Sequence, residues 1–207
     1  LLHSGARYVS TDLDAAIECR KESELLKRLA PQCIDDTGGL FVGVDGDDPG
    51  FAERFPELCR RAAIGCDELT VAEARRLEPH LSDRLVKAYR VADASVDPFH
   101  LALANVDHAR LINGSIYRSH TELLHFEVID GEIRSAHCRD HRTHATQVIR
   151  ARQVVNAGGA WAMNIARLAG CSDVDLLYAK GTLLVNHDRM TRHVVNRLRP
   201  PGDGDIL

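Results

Sequence analysis

A mixed α/β fold is what this sequence predicts, and three observations predict it. Segments with apolar residues at helical spacing alternate along the whole chain with short runs of β-branched and aromatic residues. Proline, glycine and Asp-Gly steps punctuate the boundaries between them. Hydrophobic residues fill 44% of the 207 positions, enough for a large core. A net charge of −4 argues against a general affinity for nucleic acid, and no apolar run reaches bilayer length. No secretory signal is recognisable. The six cysteines are scattered without a CxxC pair, which reads as reduced thiols of a cytosolic protein.

The elements follow in order. LLHSGARY is a polar loop leading into a helix. Thr11-Asp12-Leu13-Asp14 predicts a capping box there, with the Thr hydroxyl and an Asp carboxylate meeting free N–H groups. The stripe Ala15/Ala16, Cys19, Ser23, Leu26, Leu29/Ala30 predicts the helix, and Pro31 stops it. Gly39–Val44 reads as an apolar strand closed by the Asp45–Asp48 turn. Pro49 opens a second helix with Phe51, Phe55, Leu58/Cys59 and Ala62 facing inward. Thr70-Val71-Ala72-Glu73 caps a short third helix that ends at Glu78-Pro79, and Leu85–Val91 reads as a strand. Asp97-Pro98 caps a fourth helix carrying Leu101, Ala104, His108 and Leu111/Ile112, ended by Gly114. Ser115–Ser119 reads as a strand, and Leu123–Ile129 and Glu132–Cys138 as a hairpin around Asp130-Gly131, with Gln147–Arg152 returning beside it. VVNAGGAW predicts a buried strand, a small-residue turn and a helix to about Ala169; Leu176–Asn186 reads as a further strand.

Four stretches have the composition for chemistry. At 154–161 the small residues let backbone approach a ligand and the helix start favours an anion, though a tight strand-to-helix connection explains them equally. In the opening loop Arg7 suits phosphate or carboxylate, and His3 and Tyr8 can move protons; an exposed turn is the plainer reading. Lys180-Gly181-Thr182 interrupts an apolar run, as a ligand-facing or an edge-strand lysine would. His137–His144 is metal-like in composition but fits no zinc spacing, so a solvated loop and no metal is expected. Asp45–Asp48 lacks the other calcium-loop positions and reads as a turn. Arg189, Arg192, Arg197 and Arg199 read as a charged, solvated edge. No GxGxxG follows a strand and opens a helix, so a complete dinucleotide-binding domain is absent from these residues.

In this order, HSGARY, the helix ending ARRLEP, ASVDP and VVNAGGAW resemble the FAD-dependent oxidoreductases of the D-amino-acid oxidase superfamily. HSGARY, AKGTLLV and HVVNRLRPPGDGDIL further resemble the flavin subunit of the anaerobic, quinone-linked glycerol-3-phosphate dehydrogenases. Aerobic relatives have Gly-Ser-His where this chain has Gly181-Thr182-Leu183. The resemblance implies a partial FAD-binding Rossmann-like domain lacking its N-terminal βαβ unit, with a mixed or antiparallel-sheet substrate domain. It assigns 1–36 and 95–175 to the FAD-binding part and 37–94 and 176–207 to the substrate part. The chain then reads as an internal segment of a longer flavoprotein, expected by itself to hold FAD weakly or not at all.

The roles it implies are these. His3, Ser4 and Gly5 pass beside the flavin ring, with Arg7 and Tyr8 facing substrate and His3, Arg7 and Tyr8 as catalytic candidates. Glu122 and Leu123 run under the adenine end; Ala157, Gly158 and Trp161 line the dinucleotide; Lys180 and Thr182 border the substrate chamber with Arg7. The activity implied is oxidation of sn-glycerol 3-phosphate to dihydroxyacetone phosphate by hydride transfer to flavin. Electrons pass to quinone through partner subunits at the cytoplasmic face of the inner membrane, with peripheral membrane association. A glycine- or sarcosine-oxidase-like amine oxidase, and a non-catalytic binding or scaffold domain, are the alternatives.

Overall fold

The computed structural model describes residues 1–173 and 175–200. In chain order its elements are α1 Leu13–Leu29, β1 Ile34–Asp35, β2 Gly39–Val44, α2 Pro49–Arg61, β3 Asp67–Leu69, α3 Val71–Leu77 and β4 Leu85–Val91. There follow β5 Ser95–Val96, α4 Pro98–Asn113, β6 Thr121–Ile129, β7 Glu132–Asp140, β8 Thr146–Ile149, α5 Ala162–Leu168 and β9 Val194–Arg197. They fall into two compact units, 1–113 with 186–207, and 114–185. The α/β class is as expected, and the first unit's sheet is mixed.

That sheet runs β3-β4-β2-β9, antiparallel except for β9, which lies parallel to β2 in the register Gly39↔Val194 to Val42↔Arg197. β2 is apolar throughout because both its faces are covered. Phe41 faces α1 and α2, in a cluster with Ala16, Phe51, Phe55, Cys59, Tyr89 and Leu198. Leu40 and Val42 face α3, with Ala74, Leu85 and Ala88. The aromatic rings stack around Phe55, whose centroid lies 4.7 Å from Phe41 and 5.6 Å from Tyr89. The Tyr89 hydroxyl donates to the Ala52 carbonyl at 3.1 Å, so this buried polar atom is satisfied.

The helix ends follow their caps. Asp48 accepts from Gly50 N–H ahead of Pro49, and Thr70 and Glu73 form the full capping box. Asp97 accepts from the N–H groups of Phe99 and His100. At α1 the expected box is only half present. Asp12 alone is the cap, accepting from Ala15 N–H, while the Thr11 hydroxyl donates back to the Tyr8 carbonyl.

In the second unit β6, β7 and β8 form the expected meander, turning at Asp130-Gly131 with Ile129 opposite Glu132. Three expected strands do not form. Residues 115–119, the Val154–Asn156 segment and Leu176–Asn186 are not in any strand. Val155 is 86% exposed and Leu177 fully so. An apolar run becomes a strand only where a neighbour supplies ladder hydrogen bonds. Among the described residues none flanks these segments. α4 likewise forms on schedule, yet Phe99, Leu103, Leu111 and Ile112 on it are exposed. The basic stretch includes the edge strand β9: Arg189 and Arg192 are exposed as expected and Arg197 and Arg199 half-buried, while Val194, Asn196 and Leu198 between them are buried.

Candidate active site

The opening loop is fixed from several directions. Leu2 and Ala94 exchange backbone hydrogen bonds of 2.8 and 2.9 Å. Ser4 N–H donates to the Asp93 carboxylate at 2.7 Å. Gly5 takes φ +94 and packs on the Ala16 backbone of α1, an approach that no side chain would permit. A 3-10 turn over Ala6–Tyr8 follows, with Tyr8 N–H donating to the Gly5 carbonyl at 2.9 Å. Ser4, Gly5 and Ala6 are buried beneath it, and His3, Arg7 and Tyr8 are half-buried side by side. The His3 and Tyr8 rings meet edge-on, 6.3 Å between centroids.

Burial lowers the proton affinity of His3, an effect that Asp93 opposes and that Arg7 reinforces. At neutral pH this imidazole is therefore held neutral, the form that accepts a proton. A half-buried guanidinium, a neutral imidazole and a phenol on one rigid turn can bind an oxyanion and receive a proton from a neighbouring hydroxyl.

Neither Asp93 nor the residues that hold β9 stand out in the sequence. Asp93 lies in VADAS, which reads as a plain turn. Asn196 donates its amide to Asp93 at 3.2 Å from the far end of the chain. Glu78, in the Glu-Pro element, accepts from Arg192 N–H at 2.7 Å and from His193 N–H and Nδ1–H at 2.6 Å. Burial alone would raise the Glu78 proton affinity, but the His193 and Arg192 hydrogen bonds outweigh it and hold the carboxyl below its ordinary range. The only local signal for Glu78 was a carboxylate just before a proline.

The other predicted site residues all lie in the second unit. Glu122 and Leu123 start β6, where the Glu122 carboxylate pairs with Arg139 at 2.7 Å and His141 at 3.1 Å. That pairing, and Asp140 accepting from Arg142 and Thr143 N–H groups, accounts for the histidine-rich turn. Among the described residues no group of three or more His, Cys, Asp or Glu side chains comes together. Ala157 and Gly158 are clamped by the Asn156 side chain, whose Oδ1 accepts Gly158 N–H at 3.1 Å and whose Nδ2 donates to the Ala162 carbonyl at 2.8 Å. A Cβ on Gly158 would lie 2.5 Å from Ile165, whereas Gly159 faces open space. Lys180 and Thr182 are exposed on a segment without regular secondary structure, not on the strand expected there.

Over residues 1–206 the sequence matches the family described as FAD dependent oxidoreductase. The chain belongs to this family. Over all 207 residues it is 39% identical to one of the subunits of the anaerobic glycerol-3-phosphate dehydrogenase from Escherichia coli, spanning 38% of that relative's length. It is 38% identical over 220 aligned residues to the like-named subunit from Haloferax volcanii, of which it spans 36%. Its fold resembles that of L-proline dehydrogenase from P. horikoshii, with a TM-score of 0.66, 24% identity, and 77% of this chain and 42% of that one covered.

The second unit has features that fit a flavin dinucleotide of this family. A Cβ on Gly159 would meet nothing within 4 Å, and two positions on, Trp161 is 70% exposed, so the main chain and an apolar ring are open to a ligand there. The glycine fingerprint that grips the pyrophosphate does not occur in the sequence. Among the described residues no helix is long and apolar enough to cross a membrane.

Proposed function

We propose that this chain is part of the flavin subunit of a glycerol-3-phosphate dehydrogenase that oxidises sn-glycerol 3-phosphate to dihydroxyacetone phosphate. Partner subunits relay the electrons to a quinone, and the assembly sits peripherally at the cytoplasmic face of the membrane. The observation that carries this reading is the 39% identity to the Escherichia coli protein over the entire chain. The rigid His3–Tyr8 turn supports it.

When bound, FAD supplies the acceptor for the hydride on the substrate's C2. In this reading Ser4 and Gly5 present their backbone to the ring and Glu122 and Leu123 to the adenosine. Ala157, Gly158 and Trp161 line the dinucleotide. Arg7 holds the substrate's anionic oxygens, with Lys180 and Thr182 bordering the chamber. The hydroxyl proton leaves to the His3–Tyr8 pair, and the neutral state imposed on His3 by burial favours it as the acceptor. The domain division 1–36 and 95–175 against 37–94 and 176–207 belongs to this proposal.

The test is an assay of the polypeptide at its relatives' full length with glycerol 3-phosphate and a quinone analogue, run beside glycine or sarcosine with oxygen. Turnover of the first alone is expected, and turnover of the second alone refutes the reading. Arg7→Ala removes a charge-assisted contact and should lower kcat/KM by roughly 30-fold, about 2 kcal/mol. The 207-residue chain made by itself should be colourless, since it lacks the pyrophosphate grip.

A further inference from the structure

The loop that carries His3, Arg7 and Tyr8 hangs on one carboxylate from outside it. Asp93, just past β4, is 1% exposed. Its Oδ1 takes the Ser4 N–H and its Oδ2 the Asn196 amide. Gly39 of β2 backs onto it so closely that a Cβ there would lie 2.7 Å from the Asp93 Cβ and 2.9 Å from its Oδ2. Asp93 thus joins the loop, β2 and β9.

Anchoring alone does not call for a charge. An ionised carboxylate is costly to bury, and the oxygen of a neutral amide would take the Ser4 N–H equally well. The Asn196 Oδ1 is itself buried without a hydrogen-bond partner, so an amide at position 93 would donate to it in exchange for the present bond, once the Asn196 side-chain amide turned over. What distinguishes aspartate is its negative charge, and the His3 imidazole feels it. Arg7 acts on that imidazole in the opposite sense.

We propose that Asp93 is a positioning residue for the reaction: its buried carboxylate fixes the His3–Tyr8 loop through Ser4 and sets a negative charge opposite the His3 imidazole. This rests on the functional reading above, which puts that loop beside the substrate. Burial depresses the proton affinity of His3, and Asp93 is the group that pulls it back up.

The experiment uses the holoenzyme, the full-length polypeptide loaded with FAD, as Asp93→Asn and Asp93→Ala. Asp93→Asn removes the charge and keeps the Ser4 N–H bond on its amide oxygen, while its Nδ2 donates to the Asn196 Oδ1 once that side-chain amide turns over. The acid limb of its kcat/KM profile for glycerol 3-phosphate should move to lower pH, with kcat at higher pH retained. Asp93→Ala loses both, and kcat should fall by about tenfold to a hundredfold while FAD content is kept, the range expected for a catalytic loop displaced by about an ångström. A second readout needs no turnover. In 13C-histidine-labelled protein the His3 resonance, assigned by its loss in His3→Gln, should titrate at lower pH in Asp93→Asn than in the wild type. An unchanged His3 titration and an unchanged pH profile in Asp93→Asn overturn the proposal. Absence of wild-type turnover together with the His3 shift overturns the functional reading and upholds the Asp93–His3 coupling.

Discussion

Gly5→Ala probes the opening loop at its tightest point. With φ at +94 the residue is in the left-handed region, and its Cβ would fall onto the Ala16 carbonyl oxygen, 2.9 Å from the carbonyl carbon and 3.1 Å from the Cα. All three are backbone atoms of α1 and cannot swing aside. Two responses are open to the molecule. If the loop stays, it bears about 1–2 kcal/mol of left-handed strain in addition to the overlap. If it lifts off α1, it surrenders the burial of Ala6 and Val9. The valine alone is worth about 1.5–3 kcal/mol. The protein takes the cheaper course, so the loss is about 2–4 kcal/mol by either route. In a chain of this size that lowers the unfolding midpoint by roughly 5–15 °C. Gly65→Ala is the matched control, because a Cβ there meets nothing within 4 Å. It should be neutral or gain up to about 1 kcal/mol from the stiffened unfolded chain. Thermal and urea unfolding followed by circular dichroism measure both variants. A Gly5→Ala protein within about 0.5 kcal/mol of Gly65→Ala would refute the packing of this loop on α1, since ordinary surface changes stay in that range.

Three further outcomes follow from the first unit. Leu198→Ala, at a side chain with no exposed surface, should cost about 2–5 kcal/mol by urea titration, a core-sized loss from a stretch that looks basic and solvated. Glu78→Gln should cost about 1–2 kcal/mol near neutral pH, because charge-assisted bonds from His193 and Arg192 become neutral ones. The folded-state Glu78 carboxyl is depressed below its ordinary 4.5, so its contribution is complete above that pH and is lost as the pH falls through the folded value. The stability gap between wild type and variant should therefore close as the pH drops below 4.5, and a gap independent of pH would contradict the assignment. Cys66 has its thiol affinity lowered by a hydrogen bond from Cys59, which is itself buried and pushed up by the same contact. Timed iodoacetamide labelling of native protein with mass spectrometry should modify Cys66 and exposed Cys171 early and Cys59 late.

Local chemistry wrote much of this fold into the sequence. Pro49 after a carboxylate, the Thr70–Glu73 box, Asp97-Pro98 and Asp130-Gly131 each act within four residues, and each element stands where these signals put it. The apolar run of β2 and the stripe Phe51, Phe55, Cys59 likewise named the core. In the site, the composition of His3, Arg7 and Tyr8 pointed to the loop, but nothing nearby in sequence showed what holds it.

The chain order of its residues thus settled where the helices start and stop and where the chain turns, because backbone propensity and capping are short-range. Pairing across the molecule settled the remainder. β9 is a strand because β2, some 155 residues earlier in register, offers it a ladder; Leu176–Asn186 has the same apolar character and, among the described residues, no such neighbour. Asp93, Asn196 and Glu78 gained their roles from partners 89 to 115 positions away. Burial and buried hydrogen bonds depend on distance in space, and one-dimensional spacing carries no record of it.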